Sequence, residues 1–135
     1  MVEEKSSFDF RFFVEPKVKE RPRFSRGHTY TPAKTKKFEE EIRGIARNYI
    51  LHRYSGSPWP LKQPLIAEIT FYFKRPKKPK FDVPATKSDL DNFCKSLLDA
   101  LNKLVIQDDA LIVKMIAEKK YSLDEPYIDL TLTEL

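Results

Sequence analysis

The aspartates and Lys95 in SDLDNFCKSLLDALNKLVIQDD, Ser88 to Asp109, are the residue types used in metal-assisted phosphate chemistry. Asp89 and Asp91 stand two apart, Lys95 follows Asp91 by four, and Asp108 and Asp109 close the stretch. Carboxylate oxygens in such a group suit a hard cation, magnesium (Mg2+) or manganese (Mn2+), rather than zinc. A hard divalent ion activates water and neutralises charge developing on a phosphate. Lys95 offsets carboxylate repulsion and offers an ammonium to a phosphate oxygen or a leaving group. The candidate metal ligands are therefore Asp89 and Asp91 with one of Asp108 and Asp109, and Lys95 stands beside them.

These groups need an element to position them. Leu90, Cys94, Leu97, Leu98, Leu101 and Leu104 recur at helical spacing, so the stretch predicts a helix with one apolar side. Asp91, Lys95, Asp99 and Asn102 form the adjoining polar stripe, in which Asp91 and Lys95 are an i,i+4 pair. On a regular helix Asp89 and Asp91 do not share a face. With Asp89 at the cap and Asp91 in the first turn, both carboxylates can converge on one cation. A turn after the helix is expected to return Asp108 and Asp109 towards them. A plainer account has the same spacing: an aspartate that only caps, a solvent-facing ion pair and an ordinary acidic turn.

The surroundings are basic. The 135 residues carry 25 Lys and Arg against 20 Asp and Glu, a net charge of +5, which favours a polyanionic partner. Lys17, Lys19, Arg21, Arg23 and Arg26 lie in a segment broken by Pro16, Pro22 and Gly27, with Phe24 and Tyr30 interleaved. Cations of one sign with aromatics between them suit phosphate contact plus stacking. A loop whose aromatics merely anchor it has the same composition. Lys34 stands near the start of the following helix, where a phosphate would meet lysines and free amides together. Residues 74–80, KRPKKPK, add Lys74, Arg75, Lys77, Lys78 and Lys80 in a proline-broken loop ahead of the acidic stretch. The expected nucleic-acid contacts are all of these cations.

At this length one domain is expected, and 41% apolar with 13% aromatic residues suffice for a core. Alternation predicts strands near 7–14, 65–73, 111–119 and 127–132, with a first helix through Phe38, Ile42, Ile45 and Tyr49 to about His52. The order is β-α-β-α-β-β: an α+β fold, one compact domain with a mixed sheet and two main helices. The single cysteine, Cys94, reads as a buried thiol and points to a reducing compartment. Without a signal-type or membrane-spanning run, a soluble cytoplasmic protein is expected.

The segment DLDNFCKSLLDALNKLVIQDDALI resembles the RusA family of Holliday junction resolvases. It keeps that family's Asp-x-Asp-Asn at Asp89, Asp91 and Asn92, its lysine at Lys95, the Asp-Ala-Leu at Asp99 to Leu101, and the acidic pair Asp108 and Asp109. The upstream KERPRF and TYTP, with Lys34 and Thr35, are also similar to the family's. The resemblance implies a magnesium-dependent endonuclease acting as a homodimer on branched double-stranded DNA, the four-way junction. It also implies Asp89, Asp91 and Asp109 as catalytic carboxylates, Lys95 as the essential lysine, and supporting parts for Asp99 and Asp108. A C2 dimer suits a junction that needs two symmetric nicks. Two other accounts fit the charge pattern: a non-catalytic, architectural DNA-binding module, and a flap or RNA nuclease with the same metal site.

Overall fold

Alternating side chains build a four-stranded sheet in which one face is apolar and buried. The computed structural model describes residues 6–20 and 23–135. In chain order its elements are β1 (Ser7–Phe12), β2 (Arg23–Ser25), β3 (His28–Tyr30), α1 (Ala33–His52), β4 (Leu65–Lys74), α2 (Leu90–Leu101), β5 (Ile112–Ser122) and β6 (Tyr127–Glu134). The main sheet has the order β1-β6-β4-β5, antiparallel except for the parallel β4–β5 pair. Phe10, Leu130, Ile69 and Ala117 form one row across it. Phe8, Phe10 and Phe12 of β1, the odd-numbered residues of β4 and the even-numbered residues 128–132 of β6 are buried in one core with both helices. The architecture is the expected single α+β domain. Among the described residues no helix is long and apolar enough to cross a membrane.

The small antiparallel pair β2–β3 was not expected; the sequence reads there as loop. Each strand has three residues, too few for a period to show. The pair is closed by Arg26 and Gly27, whose φ angles of 50° and 80° lie in the left-handed region that a two-residue hairpin turn needs.

Parallel strands cannot be joined by a hairpin, so α2 must run back between the end of β4 and the start of β5. Its apolar side is wider than expected, because Phe93 and Ala100 join Cys94, Leu97, Leu98 and Leu101 in the core. Phe93 packs on Phe73 and Phe71, with ring centroids 5.1 and 5.6 Å away, which fixes the start of α2 at the far end of β4. The other end of the crossover is fixed by two backbone bonds: Leu61 N–H donates to Val105 O (2.8 Å) and Gln107 N–H to Leu61 O (2.9 Å). The β4–β5 register slips between Leu65 and Ile66, leaving Val113 as an extra residue where β5 begins. Such a bulge re-aims the chain at a strand end.

Candidate metal and nucleic-acid site

Asp89 occupies the N-cap position of α2 with extended backbone (φ −61°, ψ 139°). Its carbonyl accepts from the N–H groups of Asn92 (3.1 Å) and Phe93 (3.3 Å). Its carboxylate makes no cap hydrogen bond, so the side chain is not consumed by the helix it starts. Asp91 lies in the first turn, exposed like Asp89. Negative charge here is favoured by the helix dipole. The main chain just before them is held by Lys119 of β5, whose Nζ donates to Ser88 O at 3.2 Å. Two exposed carboxylates on a fixed backbone, both able to turn outwards, fit the donor set of a hard cation.

Lys95 faces solvent and leans along the helix. Its Nζ lies 3.7 Å from Asp99 Oδ2, the i+4 partner ahead of it, whereas the sequence pairs it with Asp91 behind it. Asp99 also receives Lys19 Nζ at 3.0 Å. One carboxylate thus ties the basic N-terminal segment to the polar stripe of α2. Glu20 N–H donates to Thr35 Oγ1 at 3.1 Å, anchoring the same segment to α1. Sequence reasoning missed both ties, since contacts across 80 and 15 residues leave no local signal.

The second acidic pair divides its work. Asp108 caps a 3-10 turn, Asp109–Leu111, by accepting from Ala110 N–H at 2.9 Å. That amide, with Asp109 and the nearby Lys103, holds the Asp108 carboxyl below its ordinary range. The cap it makes is therefore present above the ordinary carboxylate pKa and lost as pH falls through the lowered one. Asp109 is the first residue of the turn and is exposed.

The two acidic pairs do not meet within one chain. Asp108 and Asp109 follow Gln107, which is bonded to Leu61 ahead of β4, and they lead into β5, whose Ile112 is in register with Leu65. Asp89 and Asp91 lie at the other end, where Phe93 meets Phe73 and Ser88 meets Lys119. Eight residues of strand separate Leu65 from Phe73, roughly 26 Å. Among the described residues no three His, Cys, Asp or Glu side chains are grouped to hold a metal. The expected return of Asp109 to Asp89 and Asp91 thus does not occur inside the protomer. The reason is topological: a helix crossing between parallel strands carries its two ends to opposite ends of the sheet.

Cys94 is buried on the same helix, and desolvation, with Asp91 nearby, pushes its thiol up to about 11. It is a core side chain.

Of the basic residues, Lys74 ends β4, Arg75, Lys77, Lys78 and Lys80 follow on the loop that leads to the acidic end of α2, and all five are exposed. Arg75 N–H donates to Ser122 O at 3.4 Å, holding the loop's start against the end of β5. Lys87, closer to Asp89, lies 5.6 Å from the centre of the Phe73 ring. Lys17 and Lys19 pair with Glu15 and Asp99, while Lys34 is exposed in the first turn of α1, where no acidic residue stands. Arg26 is exposed in the hairpin turn; Arg21 lies outside the described residues, and Arg23 begins β2.

The geometry thus joins an acidic helix start to a cationic loop, and the family model described as Endodeoxyribonuclease RusA matches residues 14–133 of the chain. The chain belongs to the RusA endodeoxyribonuclease family. A relative, "Uncharacterized protein YqaN" from Bacillus subtilis (strain 168), is 29% identical over 136 residues, covering 93% of this chain and 95% of that protein. RusA membership makes the chain an endodeoxyribonuclease of the type that acts on DNA junctions, and it covers the acidic stretch, both helices and the basic loop.

Proposed function

We propose that this RusA-family protein is a magnesium-dependent nuclease, with manganese as a substitute, that resolves four-way DNA junctions by paired nicks as a homodimer. We further propose that each site is shared: Asp89 and Asp91 of one protomer with Asp109 of the partner subunit. The observation that carries this reading is the placement of the two acidic pairs at opposite ends of the β4–α2–β5 unit. One chain supplies two carboxylates for a hard cation at the start of α2, and a two-fold-related partner supplies the third.

The chain's own residues have separate tasks. Asp89 and Asp91 would hold the ion and orient it from a helix start whose backbone is already fixed by Lys119. A bound divalent ion there supplies activated water and charge neutralisation at phosphorus. Lys95, released from Asp99 or bridging from it, offers its ammonium to a phosphate oxygen. The cations from Lys74 to Lys80 position the DNA backbone without reading its sequence.

A synthetic four-way junction tests this directly. With magnesium, paired symmetric nicks are expected, and none with EDTA. Asp91→Asn should bind the junction while cutting falls about 1000-fold or more, the loss of a transition-state contribution of several kcal/mol. Mixing Asp91→Asn with Asp109→Asn protein tests the sharing. Heterodimers carry one intact composite site, so single nicks should return. No recovery in the mixture, with both variants folded and binding, places all three carboxylates within one chain and defeats the shared site.

A further inference from the structure

Three of the ten phenylalanines stand outside the core: Phe13, Phe24 and Phe81. Phe13 lies against Tyr127, with ring centroids 5.9 Å apart, and Lys80 Nζ lies 5.6 Å from the centre of the Phe81 ring. Phe24 is the most exposed of the three, at 74%, and is the middle residue of β2. It pairs with Thr29 of β3, and Ser25 pairs with His28. Successive residues alternate sides, so Phe24 and Thr29 share one face of the hairpin, and Ser25, His28 and Tyr30 share the other. Residues 24–30 are exposed on both faces, so the hairpin stands clear of the domain. From Arg23 to Tyr30 there is no acidic residue.

Two three-residue strands have little stability of their own. These are clamped at their feet. Ahead of β2, Lys19 Nζ meets Asp99 at 3.0 Å and Glu20 N–H donates to the buried Thr35 Oγ1 at 3.1 Å. After β3, Pro32 O accepts from Lys36 N–H at 3.1 Å where α1 begins. Arg26 and Gly27, both left-handed, close the tip. An uncovered aromatic ring on a fixed mount, in a cationic segment, suits a ligand that is both flat and anionic: a nucleobase with its phosphates.

We infer that Phe24 is a specificity-determining wedge, whose ring stands in for a missing stacking neighbour of a base at the DNA branch point. The inference rests on the reading of a four-way junction as substrate. In a continuous duplex each base pair is covered on both faces, and a ring can enter only by unstacking a step. At a branch point the stack is already interrupted, so the ring meets an open base face. The cations around Phe24 hold phosphates of any DNA. They add affinity, and the ring adds discrimination. The mount is close to the acidic helix start. Asp99, which takes Lys19, also attracts Lys95 at 3.7 Å and follows Asp91 by eight residues, about 12 Å along α2.

The test uses the whole protein in EDTA, so that binding is read without cutting. Phe24→Ala should lower junction affinity roughly tenfold and leave affinity for a linear duplex of equal length unchanged. Phe24→Trp should restore the preference, and Phe13→Ala should not disturb it. Thymines flanking the branch should gain permanganate reactivity when wild-type protein or Phe24→Trp binds, and gain none with saturating Phe24→Ala. Equal losses on junction and duplex would make Phe24 a general contact. A lowered melting temperature in Phe24→Ala, with the junction preference kept, would make it an anchor of the hairpin. Either result overturns the inference. Nicking by wild-type protein in magnesium separates the two readings. If it nicks the junction and Phe24→Ala keeps the full preference, the nuclease stands and the wedge falls. If Phe24→Ala loses the preference and wild-type protein never nicks, the wedge stands and the hydrolytic reading falls.

Discussion

The β1 edge and the β5 edge belong to one sheet, yet they solve the problem of an unpaired strand in opposite ways. β1 is six residues long, buries three phenylalanines on its inner face, and has its outer amides and carbonyls met by two tyrosine hydroxyls. Those tyrosines are held by ring packing among Phe10, Tyr49, Tyr54 and Trp59, and Trp59 Nε1 donates to Tyr54 O at 2.9 Å. β5 is nearly twice as long and has no such cover among the described residues. The acidic turn leads into that open strand, and the basic loop is tied to its other end.

The largest expected effect separates the two edges by charge. Neutralising Lys74, Arg75, Lys77, Lys78 and Lys80, beside the open edge, should weaken junction binding roughly 100-fold at low salt. It should also lower the salt slope by up to about 0.9 for each phosphate left without its cation. Neutralising Arg53, just beyond α1 and beside Asp9 and Arg11 of the capped edge, should leave both unchanged. Affinity measured across a salt series reads this, and equal effects of the two sets would erase the distinction.

A smaller effect belongs to the capped edge alone. Tyr49→Phe and Tyr54→Phe each remove a hydroxyl that both accepts from and donates to the backbone. Each should cost about 1 kcal/mol of stability, a fall in melting temperature of roughly 3–6 °C, with junction cutting unchanged. Thermal unfolding of both single variants checks it. A loss of cutting without loss of stability would give these hydroxyls a part beyond covering the edge.

The smallest signal is chemical. Cys94 is buried under α2 with its thiol pushed up to about 11, so near neutral pH it is protonated and sheltered. It should label with a thiol reagent only on unfolding. Rapid labelling of Cys94 in the native protein would show that α2 lifts from the sheet.

Much of this protein was legible in the chain. Alternation at Phe8, Phe10 and Phe12, and from Leu65 to Phe73, fixes strands because a pleated backbone has a period of two, whatever it pairs with. The leucines after Asp91 fix α2 for the corresponding reason at 3.6 residues. The acidic and basic residue types, with their spacing, carry the resemblance to RusA. The β2–β3 hairpin, two three-residue strands around Arg26 and Gly27, was too short for any period.

What no local pattern could supply is where distant segments lie. Asp99 takes Lys19 across 80 residues, because the N-terminal segment packs across α2. Asp109 is parted from Asp89 because β4 and β5 run parallel, a fact of strand pairing that neither strand's sequence contains. The sequence alone determined which groups could do chemistry and which element each would ride on, since both follow from side-chain type and backbone period. Only the tertiary structure decided which of those groups could be neighbours, because that depends on the direction in which whole elements pack.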